Sequence, residues 1–228
     1  MTGPITGVPA RLAAVRERIT RAGGDDGIRV IAVTKGFGAG AVEAALAAGL
    51  TDVGENYADE LLAKRAEVAP AELAAGAQVR WHFLGRVQRN KVRKLAPAVH
   101  LWQAVDRLAA GEAIARLAPG ARVLVQVNVA GEPQKHGCTP DDAPALVDSL
   151  HGLGLDVAGL MTVGPRGTAE DARGAFRAVS ALADRLHLRE RSMGMTDDLE
   201  TAVQEGATMV RVGRALFGPR NLATDLRR

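Results

Sequence analysis

The sequence has little cysteine, few aromatic residues and no strong excess of either charge. Its single cysteine, Cys138, excludes an internal disulfide and argues against a metal cluster held by thiolates. Lys and Arg total 29 against 26 Asp and Glu, so the formal net charge of +3 does not predict a nucleic-acid partner. No uncharged apolar run reaches the roughly 18 to 20 residues that cross a bilayer. Residues 1–10 lack the basic start and apolar stretch of a signal peptide, which predicts a cytoplasmic protein without membrane association.

The composition is otherwise that of an ordinary folded protein. The 228 residues are 47% hydrophobic and 24% charged, which argues against disorder and fibrous repeats. The length suits one large domain, and neither a linker nor a change of composition divides the chain. We therefore predict a single domain over residues 1–228, with residues 1–7 and 221–228 as flexible ends.

Lysine is scarce, because only five of the 29 basic residues are lysines. A primary amine can form an imine with an aldehyde, which a guanidinium cannot do. A surface position is the ordinary explanation for most lysines, so each needs a structural context before it is assigned a role. The lysines are Lys35, Lys64, Lys91, Lys94 and Lys135.

Short β-branched segments alternate with amphipathic helical segments along the whole chain. The predicted strands cover residues 28–34, 52–54, 80–84, 99–105, 122–128, 155–162, 191–195 and 209–212. The predicted helices cover residues 8–21, 41–48, 57–68, 87–95, 107–117 (capped by Asp106), a segment starting at Thr139 and Pro140, 168–186, 197–205 and a last one near Phe217. Eight strands, each followed by a helix, predict a (β/α)8 TIM-type barrel with an extra N-terminal helix. A doubly wound open sheet is the main alternative.

Two sets of residues fall at predicted strand ends, where a barrel of this kind carries its chemistry. Lys35 follows the first strand, where partial loss of hydration would lower its pKa and supply free amine for imine formation. The alternative is a salt-bridged lysine at the rim.

Small residues occupy the ends of the last two strands, at Ser192-Met193-Gly194 and at Gly213. Backbone N–H groups there can form an anion site at the recurrent phosphate position of the fold, although tight turns explain the glycines equally well. A lysine facing a phosphate site suggests pyridoxal 5′-phosphate, with Arg211 between them.

Six motifs then resemble one known family, over residues of about 8 to 220. They are Ala32-Val33-Thr34-Lys35, Gly54-Glu55-Asn56-Tyr57, Trp81-His82-Phe83-Leu84-Gly85 with Gln88, Asn90 and Lys91, Gly159-Leu160-Met161, Ser192-Met193-Gly194-Met195-Thr196-Asp197-Asp198-Leu199, and Val210-Arg211-Val212-Gly213. In this order they resemble the YggS/PROSC family of pyridoxal phosphate homeostasis proteins. The resemblance implies the fold type III barrel of alanine racemase and a role in vitamin B6 homeostasis.

The resemblance also implies a role for individual residues. Lys35 would carry the cofactor as an internal aldimine (a Schiff base), and Arg211 would face the pyridine nitrogen. The residues expected to hold the phosphate are Ser192, Gly194 and Gly213, and those expected to line the ring pocket are Asn56 and Met161. The sequence departs from the family at Thr34 and Gly36, which flank the lysine. It departs again at Arg214, where the family usually has Thr, so that a guanidinium either contacts the phosphate or points away.

The same residues favour holding the cofactor over catalysis. A guanidinium at the pyridine nitrogen disfavours ring protonation and makes the cofactor a weaker electron sink. Tyr57 is the sole tyrosine, His82 and Cys138 are the other possible proton carriers, and no racemase-type second domain is expected after Arg220. We predict a monomeric binder without evident turnover that transiently contacts apo forms of pyridoxal phosphate enzymes. The alternative is a racemase-type enzyme acting on a small amino acid.

Two further functions have weaker support. Residues 36–41 fit the G-x-G-x-x-A dinucleotide fingerprint, with Glu55 near the expected acidic position. A nucleic-acid site could use the basic helix, although a solvated helix face explains its charges better. The basic residues concerned are Arg86, Arg89, Lys91, Arg93 and Lys94.

Overall fold

The eight predicted strands form one closed parallel barrel in the order β1 to β8. The computed structural model describes residues 5–132, 135–165 and 167–219, so most of the predicted flexible ends lie outside the described residues. Every neighbouring pair of strands is parallel, and β8 pairs with β1 to close the barrel. This closure confirms the (β/α)8 prediction and rules out the open sheet.

The strands and helices alternate as predicted. The strands are β1 (Arg29–Val33), β2 (Asp52–Glu55), β3 (Arg80–Phe83), β4 (Val99–Val105), β5 (Arg122–Gln126), β6 (Asp156–Met161), β7 (Glu190–Ser192) and β8 (Met209–Val212). The helices are α1 (Val8–Arg21), α2 (Gly40–Ala47), α3 (Ala58–Ala75), α4 (Arg89–Leu95), α5 (Leu108–Leu117), α6 (Ala143–Gly152), α7 (Ala169–Arg185), α8 (Leu199–Gln204) and α9 (Arg214–Phe217).

Apolar side chains fill both faces of the barrel wall, as expected for parallel strands covered by helices. The inner cluster is small and consists of Ile31, Leu101, Ala104, Leu124, Ala158, Met161 and Met209. Larger clusters lie between the wall and the helices. The extra helix α1 buries Val8, Val15 and Ile19 in one of these, and its Arg18 forms a salt bridge with Glu200.

Two predicted helix caps are wrong. Asp106 does not cap α5, because the extended residue Arg107 precedes the helix and pairs with the Asp106 carboxylate instead. Helix α6 begins at Ala143 with Asp142 at its N-cap, so the Thr139 hydroxyl, which accepts a hydrogen bond from the Asp142 backbone (3.1 Å), caps the turn before the helix instead. The ion pair of Asp106 with Arg107 is thus a local contact that competes with helix capping.

Three predicted boundaries also shift. Helix α3 continues to Ala75 because the internal Pro70 removes one backbone donor without ending the helix. Strand β7 ends at Ser192 instead of residue 195, since Gly194 has a φ of 88° and turns the chain. Helix α9 ends at Phe217 instead of beginning near it, because the left-handed Gly218 stops it.

Within the part of the chain described, no helix is both long and apolar enough to cross a bilayer. Over the same residues, no group of three or more His, Cys, Asp or Glu side chains is placed to hold a metal ion.

Charged residues at the first strand positions surround the amino end of the barrel. Arg80 donates to Asp52 through Nε (2.9 Å) and Nη2 (2.5 Å). On the opposite side, Arg29 and Arg122 both pair with Glu190. Opposite charges on different strands therefore pair across the strand starts, away from the end where such a barrel places its active site.

His82 connects the charged residues at the strand starts to the interior of the barrel. Its Nε2 lies 2.8 Å from Asp52 Oδ1, and the side chain is completely buried. Burial raises the pKa of Asp52, but hydrogen bonds from His82 and Arg80 outweigh it and bring the pKa well below its ordinary value. Burial lowers the pKa of His82 below 6.5, although Asp52 acts in the opposite sense. The ring is therefore neutral at physiological pH.

The neutral state of His82 predicts that acid destabilises the fold. Below pH 6.5 the unfolded chain takes up a proton that the buried ring does not bind, so the free energy of unfolding falls by up to about 1.4 kcal/mol per pH unit. We expect His82→Asn to be less stable than the wild type at about pH 7.5 but to lose less stability on going to about pH 5.5. Urea denaturation at both values measures this, with His151→Asn on exposed α6 as the control. Equal losses in all three proteins would contradict a neutral His82.

Candidate functional site

A cavity of about 280 Å³ opens where the strands end at the carboxyl side of the barrel. Its walls come from β1, β6 and β8 and from the loops that follow several strands. The lining residues are Val33, Lys35, Phe37, Asn56, Leu84, Met161, Val163, Met195, Thr196, Asp197, Arg211, Gly213 and Arg214. Six of the eight predicted site residues are thus brought together in one cavity.

The lining combines cationic groups with an apolar wall. Lys35, Arg211 and Arg214 contribute three positive charges, and Asp197 is the acidic residue among the lining side chains. The apolar wall includes Leu84 and Met161. Such a cavity suits a flat ligand with an anionic group, because the cations attract the charge while the apolar surface covers the ring.

The backbone on both sides of Lys35 is fixed by hydrogen bonds. The N–H of Thr34 donates to Gly54 O at 3.0 Å, and its hydroxyl donates to Glu55 Oε1 at 2.6 Å. The N–H of Gly36 donates to Glu60 Oε2 at 3.0 Å. The half-buried lysine is therefore carried on a restrained segment at the mouth.

A buried lysine, Lys64, connects this segment to β2. The sequence predicted only that this residue lies in a helix. Lys64 of α3 is 4% exposed, and its Nζ donates to Thr34 O (2.7 Å) and to Glu55 Oε1 (2.5 Å). Burial raises the pKa of Glu55, and the hydrogen bonds from Lys64 and Thr34 act against it. The Asn56 N–H lies 3.3 Å from the same carboxylate. One buried ion pair thus fixes the residues next to Lys35 and Asn56.

The Glu55 contacts also weaken the dinucleotide alternative. A dinucleotide site requires the Glu55 carboxylate to reach a ribose hydroxyl. Here the side chain is fully buried and bonded to Thr34 and Lys64.

Arg211 lies on β8 at the inner wall of the cavity, with 5% of its surface exposed. Its Nη1 donates to Ser192 Oγ (2.8 Å) and its Nη2 donates to Thr162 O (2.7 Å). Burial lowers the pKa of Arg211 to about 10, while Asp198 acts in the opposite sense. The guanidinium remains charged at neutral pH, and both of these acceptors are neutral oxygens.

Two residues predicted to hold a phosphate lie elsewhere. Ser192 is fully buried, and its hydroxyl donates to Gln103 Oε1 (2.6 Å) besides accepting from Arg211. Gly194 turns the chain, and a Cβ there would lie 2.4 Å from the Ala202 Cβ. Neither is among the lining residues: the Ser192 hydroxyl bonds to Gln103 inside the barrel, and the segment after β7 lines the cavity at Met195, Thr196 and Asp197.

The glycine and arginine after β8 do line the cavity. Gly213 precedes α9, and a Cβ there would lie 3.1 Å from Val33 O, so the two strand ends approach closely. Arg214 pairs with the Asp197 carboxylate at the rim, where both side chains are exposed. The guanidinium therefore stands beside the cavity, with a carboxylate as its partner.

The three candidate proton carriers do not line this cavity. Tyr57 is exposed and lines a separate cavity of about 190 Å³. His82 lies within the barrel. Cys138 donates to Gln126 O, and burial raises the pKa of its thiol to about 12.

Comparison with known proteins agrees with this geometry. The family described as "Alanine racemase, N-terminal domain" matches residues 10–221. A pyridoxal phosphate homeostasis protein of Pseudomonas aeruginosa is 44% identical over 93% of this chain and 94% of its own length. The chain belongs to the YggS/PROSC family of pyridoxal phosphate homeostasis proteins.

Other members of this family match over similar lengths. The pyridoxal phosphate homeostasis protein of Deinococcus radiodurans is 40% identical over 92% of this chain and 99% of its own length. Among solved structures, PipY of Synechococcus elongatus with PLP bound gives a TM-score of 0.81 at 33% identity, covering 93% of this chain and all of that chain.

The ion pair behind Lys35 predicts a large effect of a single substitution. Lys64→Met leaves the Glu55 carboxylate buried without its cation, which costs about 3–5 kcal/mol of unfolding free energy. Lys64→Met combined with Glu55→Gln should recover part of this loss. Lys94→Met, on the exposed side of α4, is the matched control and should change stability by less than about 0.5 kcal/mol. Urea denaturation distinguishes them, and equal effects of the two single variants would contradict the account.

Proposed function

We propose that this protein holds pyridoxal 5′-phosphate in the cationic cavity and takes part in keeping the cell supplied with it. The observation that carries the proposal is Lys35, a primary amine on a restrained strand end, in one cavity with two arginines. The names of the close relatives and the PLP-bound PipY structure support the same ligand.

The lining residues fit the chemistry of this cofactor. When bound, the cofactor supplies an aldehyde, which a lysine amine attacks reversibly with loss of one water. Lys35 is the residue we assign to that attachment. Its two neighbours along the chain are fixed by the contacts of Thr34 and Gly36, so the amine is held at the mouth.

The remaining lining residues divide between the two ends of the cofactor. We assign the phosphate to the loop after β7 and the junction of β8 and α9, where Thr196, Gly213 and Arg214 line the cavity. The ring would lie against Asn56 and Met161. Arg211 would face the ring nitrogen as a donor, because its charge is not neutralised by a bonded carboxylate.

Holding the cofactor fits this site better than catalytic turnover. Arg211 keeps its proton at neutral pH, so it can donate a hydrogen bond but cannot readily protonate the ring. Tyr57, His82 and Cys138 lie outside the cavity lining. A racemase would need a second base opposite Lys35, and these three side chains are not placed to be that base.

We further propose that the protein is cytoplasmic and monomeric and gives the cofactor to apo forms of pyridoxal phosphate enzymes by transient contact. An open cavity at the barrel mouth is compatible with release to a partner. Transfer of the bound cofactor from this protein to a purified apoenzyme tests the proposed contact.

Loss of the Lys35 amine predicts loss of the lysine-linked cofactor. Lys35→Ala should remove the visible absorbance that appears when pyridoxal phosphate is added, while circular dichroism remains that of the wild type. Lys135→Ala is the matched control, because that lysine pairs with Glu132 in the loop after β5 and does not line the cavity. Persistent absorbance in Lys35→Ala, or its loss in Lys135→Ala, would contradict the assignment.

Arg214 predicts an effect on phosphate affinity. Arg214→Thr should weaken binding of pyridoxal phosphate by about tenfold, as expected for a lost charge-assisted hydrogen bond, and should leave pyridoxal binding unchanged. Asp197→Asn removes the competing carboxylate and should strengthen phosphate-ester binding. Isothermal titration measures all three proteins. Equal affinity of Arg214→Thr and the wild type for pyridoxal phosphate would show that Arg214 does not touch the phosphate.

A further inference from the structure

A continuous chain of buried hydrogen bonds crosses the barrel from the cavity to the charged amino end. Arg211 Nη1 lies 2.8 Å from Ser192 Oγ, which lies 2.6 Å from Gln103 Oε1. Gln103 Nε2 lies 2.7 Å from His82 Nδ1, and His82 Nε2 lies 2.8 Å from Asp52 Oδ1. The chain joins four strands, namely β8, β7, β4 and β3, and ends on β2.

The donor and the acceptor of each hydrogen bond in this series follow from the two end members, the Arg211 guanidinium and the Asp52 carboxylate. A guanidinium can only donate, so Ser192 accepts from Arg211 and its own proton goes to Gln103. The amide of Gln103 then presents its NH₂ group to His82 Nδ1, which must be an unprotonated acceptor. The proton of the neutral ring is therefore on Nε2, from which it is donated to the Asp52 carboxylate. One arrangement satisfies all the groups.

Because this series of hydrogen bonds is buried, the loss of any one bond leaves a polar group without a partner. Ser192, Gln103 and His82 are all fully buried, so water does not replace a missing partner. A buried polar group that loses its partner costs more than the bond itself contributes. Removing one member therefore leaves its neighbours without a partner, and loss of the Ser192 hydroxyl takes from Arg211 one of its two acceptors at the cavity.

We propose that Gln103 and Ser192 are positioning residues that hold the Arg211 guanidinium at the cavity wall, with neutral His82 and Asp52 fixing the direction of the chain behind them. The role toward the cofactor ring rests on the proposed function. Ser192, predicted from the resemblance to hold phosphate, acts on this proposal through Arg211 instead.

The groups that face His82 are consistent with its neutral state. Asp52 on β2 favours the protonated ring, while Arg80 on β3 and Arg29 on β1 oppose it. His100 on β4 lies with its ring centroid 5.9 Å away. Because Gln103 donates to Nδ1, replacing this amide with a carboxylate removes the donor and favours a second proton on the ring.

The first experiment uses the cofactor-free protein and follows the imidazole nitrogens of His82 by NMR. The wild type should show a neutral ring protonated on Nε2 at about pH 7. Gln103→Glu should raise the pKa of His82, whereas Gln103→Leu should not. Gln126→Leu, the same change on the neighbouring strand β5, should leave the His82 signals unchanged. A ring protonated on Nδ1 in the wild type, or an unchanged pKa in Gln103→Glu, would overturn the assigned direction.

The second experiment measures binding of pyridoxal phosphate and the absorbance maximum of the bound cofactor. Gln103→Leu and Ser192→Ala should each weaken binding by about tenfold and shift the maximum, since Arg211 loses its support. Gln103→Glu should restore the acceptor for Ser192 and bind within about threefold of the wild type, which a role in packing alone would not predict. Gln126→Leu is again the control.

The two experiments separate the possible failures. If Gln103→Leu does not fold, Ser192→Ala carries the test, because it removes one hydroxyl. Unchanged affinity and spectrum in a folded Ser192→Ala would overturn the positioning role. A wild type that does not bind pyridoxal phosphate at all would refute the proposed function, while the imidazole signals would still decide whether the chain exists.

Discussion

The burial of a positive charge at the inner end of the cavity is the constraint on which the rest of the site depends. Arg211 is held by a hydroxyl and a carbonyl oxygen, and burial lowers its pKa without removing its charge at neutral pH. A buried cation needs hydrogen-bond acceptors in place of the water it has lost. The protein meets this need with a polar chain through its interior, although apolar side chains would fill a barrel more simply. A ligand that needs the Arg211 guanidinium at the cavity wall would explain why polar side chains stand there instead of apolar ones.

Charged residues lie at both ends of the barrel, but only those at the carboxyl end line the cavity. Ion pairs at the strand starts, such as Arg80 with Asp52, close the amino end. At the carboxyl end, Arg211 of β8, Lys35 after β1 and Arg214 at the start of α9 face an open cavity. A second buried pair, Lys64 with Glu55, supports the segment that carries Lys35. Two of the five lysines in this arginine-rich chain therefore lie at this site, one lining the cavity and one behind it.

The sequence predicted the barrel and the place of the cavity because both depend on local patterns. Parallel strands bring their carboxyl ends to one mouth, so Lys35 and Gly213 could be placed together from strand order alone. Ser192 is not among the cavity-lining residues, and its contact with Gln103 inside the barrel joins separate strands that strand order alone does not pair. The Lys64 and Gln103 contacts join residues on different elements, and no periodicity in the sequence indicates which polar residues will meet.

The central claim is that one amine, Lys35, takes the aldehyde of pyridoxal phosphate inside this cavity. The most direct measurement is borohydride reduction of the loaded protein, followed by digestion and mass mapping of the modified peptide. The account predicts a single modified site at Lys35. Modification at Lys91 or Lys135 instead, with Lys35 untouched, would contradict it.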